Sequence, residues 1–342
     1  MNDAANIICV AIVTCLIAWF STELVRRHAL RNAILDIPNV RSSHATPTPR
    51  GGGLAIVAAF MGALVFLVAC RLLQFNVAFV LIAGGGAVAL TGYLDDRSPL
   101  PAGIRICVHV TAATLAVLVV GGIAEQTLRN IGLHGIWAGG LLGLIALTWS
   151  INLFNFMDGI DGIAGSEAVF VAGAGALLNW RYGGDSGLTA AMLVLAAATL
   201  GFLIWNWPPA RIFMGDVGSG FLGFSLAVLG LAASRHSATP IEIWAILSGV
   251  FLVDATVTLL RRIVRGDRWF EAHRLHAYQY FARRWRSHLP VTVLVIVINL
   301  FWLFPWAWIT AIYPARAMVC LIVALAPLIV IAFLIGAGRN RV

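Results

Sequence analysis

The chain has 342 residues, 60% of them hydrophobic and only 11% charged, and its formal net charge is +8. A mean hydropathy of +0.90 excludes an ordinary soluble domain, which carries far fewer apolar residues. The class left is all-α, a polytopic membrane helix bundle, because helices satisfy their own backbone polar groups inside lipid.

Eleven apolar segments of about 17 to 22 residues match the ~30 Å hydrocarbon core that a spanning helix must cross. They lie near 5–24, 54–72, 77–94, 104–122, 135–153, 163–180, 187–205, 218–234, 241–260, 291–311 and 317–336. The first has Asp3 but no basic residue in front of it and no small-residue cleavage site, so it reads as a retained helix. All 23 basic residues are Arg; the segment order puts Arg71, Arg129, Arg181, Arg235 and Arg316 on one side and the other eighteen opposite. The positive-inside tendency makes the larger group cytoplasmic, which sets the N-terminus outside and the C-terminus cytoplasmic. The chain 1–342 then forms a single integral membrane domain, with cytoplasmic loops near 26–53, 95–103, 154–162, 206–217 and 261–290. Cys9, Cys15, Cys70, Cys107 and Cys320 fall in or beside apolar segments without metal-ligand spacing, and read as core packing.

Acidic residues crowd the same edge as the arginines: Asp36, Asp95, Asp96, Asp158, Asp161, Asp216, Asp254, Asp267 and Glu271. Asp3, Glu125, Asp185 and Glu242 face the other way. Idle carboxylates at a bilayer edge are costly, so the bias points to a site shared by several loops, with carboxylates for a metal and arginines for phosphates.

In chain order, the first loop runs Asp36-Ile-Pro-Asn-Val-Arg-Ser-Ser-His44-Ala-Thr-Pro-Thr-Pro-Arg50 and enters the second segment through Gly51-Gly52-Gly53. This proline-stiffened basic loop either closes over a phosphate or anchors to anionic lipid. Asp95-Asp96 brings two negative charges together, an arrangement that wants a cation or a proton unless Arg97 compensates. His109, inside the fourth segment, reads as a satisfied bundle residue. Asn152, Asn155, Asp158 and Asp161 recur every three residues, and an unbroken helix would splay the first and last about 180° apart. Convergence on one ligand needs a break, which Gly159 and Gly162 allow. In Asn206-Trp-Pro-Pro-Ala-Arg-Ile-Phe-Met-Gly-Asp216, the last residue is either a hard-cation ligand or a helix cap, and the free amides of the next helix favour an anion. Asp254, two turns before Arg261, reads as a structural partner for it. The last loop carries His273-Arg274-Leu-His276-Ala-Tyr278-Gln279 among many arginines, suited to a pyrophosphate and a sugar, or to lipid headgroups.

These motifs, in this order, resemble the polyprenyl-phosphate N-acetylhexosamine-1-phosphate transferase family, which includes the phospho-N-acetylmuramoyl-pentapeptide transferase and the enzymes that start O-antigen synthesis. The resemblance spans Asp36 to Gln279. It implies a bacterial inner-membrane enzyme with a cytoplasmic active site that uses Mg²⁺, or Mn²⁺, to move a sugar 1-phosphate from a UDP-N-acetyl sugar onto undecaprenyl phosphate, releasing UMP. By position, Asp95 and Asp96 match the aspartate pair that handles the lipid phosphate, and Asp216 matches the metal ligand. Asn152, Asn155, Asp158 and Asp161 match the nucleotide-binding run, and Asn206 the Asn before the Pro-Ala step. His276 and Arg274 would steady phosphates, with Arg50, His273, Tyr278 and Gln279 completing the substrate site. The last motif departs from the commoner histidine cluster and looks most like the branch loading deoxy sugars such as N-acetylfucosamine or N-acetylquinovosamine for O-antigen. N-acetylglucosamine or muramoyl-pentapeptide is the alternative within the family, and a secondary transporter the alternative outside it. The bilayer is the expected partner surface, a homodimer is compatible with the chain, and no nucleic acid is expected.

Overall fold

The computed structural model describes residues 3–38, 46–235, 239–267 and 274–339. Among the described residues, each apolar segment is helical. The helices are α1 (Asp3–Arg31), α2 (Gly53–Ala69), α3 (Phe75–Arg97), α4 (Ala102–Val120), α5 (Glu125–Asn130), α6 (Ile136–Met157), α7 (Ile163–Arg181), α8 (Ser186–Asn206) and α9 (Asp216–Arg235). They continue with α10 (Ile241–Leu247), α11 (Gly249–Val264), α12 (Ala277–Trp285), α13 (Leu289–Ile298), α14 (Phe304–Ile312) and α15 (Ala317–Ile335).

Nine helices among the described residues are long and apolar enough to cross a membrane, α13 and α14 counting as one through the π-helical turn Asn299–Leu303. The all-α membrane bundle is therefore what forms, and two of the eleven expected segments differ from simple spans. Helix α2 has only 17 residues. The segment 241–260 is broken, α10 and α11 meeting at 79°. The short α10 packs tightly: the Trp244 indole lies so close to Gly175 and Gly230 that a Cβ on either would collide with it.

Helix α9 is the centre of the bundle, with 94% of its apolar window buried, against 17% for α1 and α15 at the periphery. It packs between α3 and α6. Without hydrophobic drive between helices in lipid, close approach comes from small residues, and here Gly92 of α3 lies against the backbone of Asp216 while Gly223 of α9 lies against Ser150 of α6. Those contacts bring the cytoplasm-predicted ends of α3, α6 and α9 together. The expectation of cysteines packed in the core holds only for Cys320; Cys9, Cys70 and Cys107 face outward, and all five are free thiols.

The loops depart most from expectation. Helix α1 runs on to Arg31, taking the start of the 26–53 loop, and two short antiparallel strands, β1 (Leu35–Asp36) and β2 (Thr48–Pro49), pair within the remainder. A bridge from Arg50 to Phe213 then ties this hairpin to the segment before α9. Within 261–290, α12 forms a separate helix.

Candidate active site

Helix α6 ends at Met157 and α7 begins at Ile163, so the Asn152–Asp161 run is interrupted where its glycines allow it. Gly162 takes a left-handed φ of +74°, which glycine adopts without a Cβ penalty. Gly159 gives room of another kind, since a Cβ there would overlap the Tyr278 hydroxyl. That hydroxyl donates to the Phe156 carbonyl at 3.0 Å, fastening the first turn of α12 onto the end of α6.

Three helix ends meet in a charged cluster. One Arg50 nitrogen, Nη2, contacts Asp96 Oδ1 at 2.7 Å and Asp216 Oδ1 at 2.9 Å. Asp216 is also within hydrogen-bonding reach of Asn155 and Asp95. Asp95 is held in turn by Arg105 at 2.9 Å and by the Leu100 N–H at 2.6 Å. The adjacent aspartates diverge. Asp95 faces a large cavity between α3, α4, α6 and α9, whereas Asp96 faces a smaller one between α1, α2 and α3.

The first α9 amides do find an anion, and it is a side chain. The N–H groups of Asp216 and Val217 donate to Asp96 at 3.0 and 3.2 Å, so Asp96 caps α9 from a neighbouring helix. The expected anion at these amides is thus the Asp96 carboxylate, which Asp95, bonded to Arg105 and the Leu100 N–H, does not share.

Asp158 sits at the end of α6 beside this cluster. Burial, and then the charge of Asp216, push its carboxyl up to about 7. The folded protein then holds a proton that the unfolded chain, at the ordinary value of 3.8, has released. Between those two values the native state binds more protons, so stability falls as pH rises through that window. In metal-free buffer with a chelator, Asp158→Asn should therefore gain thermal stability over wild type at pH above 7 and lose that advantage near pH 4. Thermal unfolding of purified protein against pH measures this, and parallel curves for the two proteins would refute it.

Asp161 and Asn206 are engaged by bonds within the protein. Asp161 accepts from the Ala210 N–H at 3.0 Å and pairs with His288 Nδ1 at 3.1 Å. Asn206, only 3% exposed, accepts from the Gly162 N–H and donates to the Ile212 carbonyl, both at 2.9 Å. Both side chains tie the α6–α7 turn to the α8–α9 loop.

The last motif is likewise divided. His276, 3% exposed, turns its Nδ1 to Asp254 Oδ1 at 3.3 Å, so it is an interior group and not one facing phosphate. Asp254 also accepts from the Ala277 and Tyr278 amides at 2.9 and 3.0 Å, which makes it the anchor of α12 and not a partner for Arg261. Gln279 bonds back to the His276 amide at 3.4 Å, and its amide lies beside Gly159. Burial raises the Tyr278 phenol well above its usual value, leaving it a neutral donor. Arg274 lines a separate small cavity with Arg283 and Arg339. His273, like His44 and Arg41, lies outside the described residues.

The cavity that Asp95 faces has a volume of about 680 Å³. Asp95, Arg105, Asn152, Asn155 and Asp216 share it with Ile106, Val110, Leu144 and Ile145. Nothing in the sequence singles out Arg105, which looks like any arginine flanking an apolar segment, or His288, whose pairing with Asp161 spans distant parts of the chain. Sequence reasoning also passed over Glu167, fully buried inside α7 and bonded to the Asn299 amide at 2.6 Å.

Among the described residues no three His, Cys, Asp or Glu side chains stand as a ready-made metal site. Magnesium rarely needs one, since it is usually held by one or two carboxylates together with substrate phosphates and water. The oxygen donors around Asp216 fit that mode.

The fold and this cleft define a polytopic membrane protein with a charged pocket opening among its helices at one edge of the bundle. The chain belongs to glycosyl transferase family 4, whose model matches residues 78–234. It is 34% identical to a decaprenyl-phosphate N-acetylglucosaminephosphotransferase of Mycobacterium tuberculosis (strain CDC 1551 / Oshkosh), over 84% of this chain and 78% of that one. The protein of the same name from Mycobacterium leprae (strain TN) is 33% identical over 84% and 79%. An undecaprenyl-phosphate alpha-N-acetylglucosaminyl 1-phosphate transferase of Escherichia coli (strain K12) is 26% identical over 86% and 80%.

Proposed function

We propose that this protein transfers an N-acetylhexosamine 1-phosphate from a UDP-sugar to a polyprenyl phosphate, undecaprenyl phosphate in the bacterial inner membrane, and releases UMP. One observation carries the reading: carboxylates, amides and an arginine share a single cavity with a wall of apolar side chains between membrane helices. A phosphate on a long prenyl chain needs both kinds of surface. The names of the relatives support the acceptor class, and the eighteen arginines on the edge that holds the cleft support a cytoplasmic site.

In the proposed reaction an acceptor phosphate oxygen attacks the β-phosphorus of the donor. The new P–O bond forms as the bond to the bridging oxygen breaks, and its electron pair leaves with UMP. Asp95, fixed by Arg105, keeps the acceptor phosphate deprotonated. Asn152, Asn155 and Asp158 hold the nucleotide, and Arg50 offsets the diphosphate charge. Asp216 would hold Mg²⁺, for which Mn²⁺ can substitute; when bound, the ion neutralises charge on the diphosphate. Asp96, Asp161, Asn206, His276 and Gln279 keep these groups in place.

The relatives' names make UDP-N-acetylglucosamine the first donor to test, and the His273-Arg274-Leu275-His276 departure makes the N-acetylated deoxy sugars of O-antigen the second. Purified protein with undecaprenyl phosphate, Mg²⁺ and each UDP-sugar should release UMP with at least one donor. The buried Glu167–Asn299 pair is the feature a transporter would use. Proton-coupled solute uptake in liposomes, without UMP from any donor, would replace the transferase reading with that one.

A further inference from the structure

The end of the last helix meets the last loop in a second charged cavity. It has a volume of about 230 Å³, and Arg274, Arg283 and Arg339 line it together with Tyr280, Leu275 and Ile335. The three arginines come from separate places: Arg274 precedes α12, Arg283 lies in its last turn and Arg339 follows α15. Hydrogen bonds hold those places together, since the Gly338 N–H donates to the Leu275 carbonyl at 2.8 Å and Arg283 Nη1 donates to the Arg274 carbonyl at 3.1 Å.

Two neighbouring arginines are already used by the fold. Arg261 donates to the Ala337 carbonyl at 2.9 Å and Arg265 to the Gly338 carbonyl at 3.0 Å, so both satisfy the C-terminal end of α15. The side chains of Arg274 and Arg339, by contrast, make no hydrogen bond or ion pair among the described residues. No carboxylate lines the cavity either, so three positive charges share it without a counter-ion. Partial burial, and then the charge of Arg274, lower the basicity of Arg283. Like charges held together cost free energy, which an anion bound among them offsets. Phosphate oxygens match the forked geometry of guanidinium groups.

Depth points to what carries that phosphate. Helix α15 is long and apolar enough to cross the membrane and ends at Ile335, part of the cavity wall, so the arginines stand where this helix leaves the lipid. On α12, Phe281 packs between Tyr280 and Trp285 with ring centroids 5.7 and 5.0 Å away, and Trp285 is exposed. Tyr and Trp gather at headgroup depth, where one end of the ring is apolar and the other wet.

We propose that Arg274, Arg283 and Arg339 form a binding site for the phosphate of an anionic phospholipid headgroup, separate from the cleft of Asp95 and Asp216.

The test uses the full-length purified protein in native mass spectrometry, with phosphatidylglycerol, phosphatidylcholine and inorganic phosphate as probes. Wild type is expected to retain phosphatidylglycerol in preference to phosphatidylcholine. Arg283→Gln and Arg339→Gln should each weaken phosphatidylglycerol binding about fivefold, the weight of one arginine at an anionic membrane surface, and leave phosphatidylcholine binding unchanged. The Arg339 side chain bonds to nothing in the fold, so Arg339→Gln should unfold at the wild-type temperature and its loss of affinity reports the site alone. Arg284 is exposed beside Arg283 but does not line the cavity, and Arg284→Gln should bind phosphatidylglycerol as wild type does. Equal retention of the two lipids by wild type, unchanged phosphatidylglycerol binding in both variants, or an equal loss in Arg284→Gln overturns the assignment. Inorganic phosphate that displaces phosphatidylglycerol at equal concentration places the occupant in solution and overturns the headgroup.

Discussion

Replacing Asp216 with Asn is expected to lower turnover by about a thousandfold, the several kcal/mol that a correctly held cation contributes to a phosphoryl-transfer transition state, while leaving the protein folded. The structure explains why the fold should survive. Arg50 keeps its 2.7 Å contact with Asp96, and it is the Asp216 and Val217 backbone amides, not the Asp216 side chain, that meet Asp96. The amide of Asn occupies the same volume, so the packing of Gly92 against this turn is undisturbed. What changes is the anionic oxygen proposed to hold Mg²⁺. The decisive measurement is UMP release against Mg²⁺ concentration, alongside thermal unfolding; wild-type rates in a folded variant would remove Asp216 from the metal site.

Asp95→Asn should cost about a hundredfold to ten-thousandfold in kcat, the range of a positioned general base. Its Oδ1 accepts from the Leu100 N–H and its Oδ2 pairs with Arg105, so Asn can keep the first bond and loses the charge pair of the second. Arg105 is left facing the cavity without its counter-ion. KM for the lipid phosphate should therefore change less than kcat, because an unpaired guanidinium still attracts an anion. Near-normal rates across pH would show that this carboxylate is dispensable as a base.

Much of this molecule can be read in one dimension because lipid leaves the chain few choices. Every apolar run had to become a helix, and the clustering of Asp95, Asp96, Asp158 and Asp216 with arginines at one edge had to have a use. The break at Gly159 and Gly162 was legible for a similar reason, since three-residue spacing cannot converge on one face of an intact helix. Partnership is where the reading stopped. Asp95 and Asp96 are neighbours in the chain, yet they line different cavities. Asn206, Asp161 and His276 carry the same functional groups as substrate ligands, and only the tertiary structure shows them bonded to Gly162, Ala210 and Asp254.

The sequence by itself determined the all-helical membrane architecture and the edge on which its chemistry gathers, because hydropathy and charge act locally along the chain. The tertiary structure decided which polar atoms are already paired and which are left for a ligand. Hydrogen bonds form between residues as far apart as Arg50 and Asp216, and their pairing depends on how closely helices such as α3 and α9 approach.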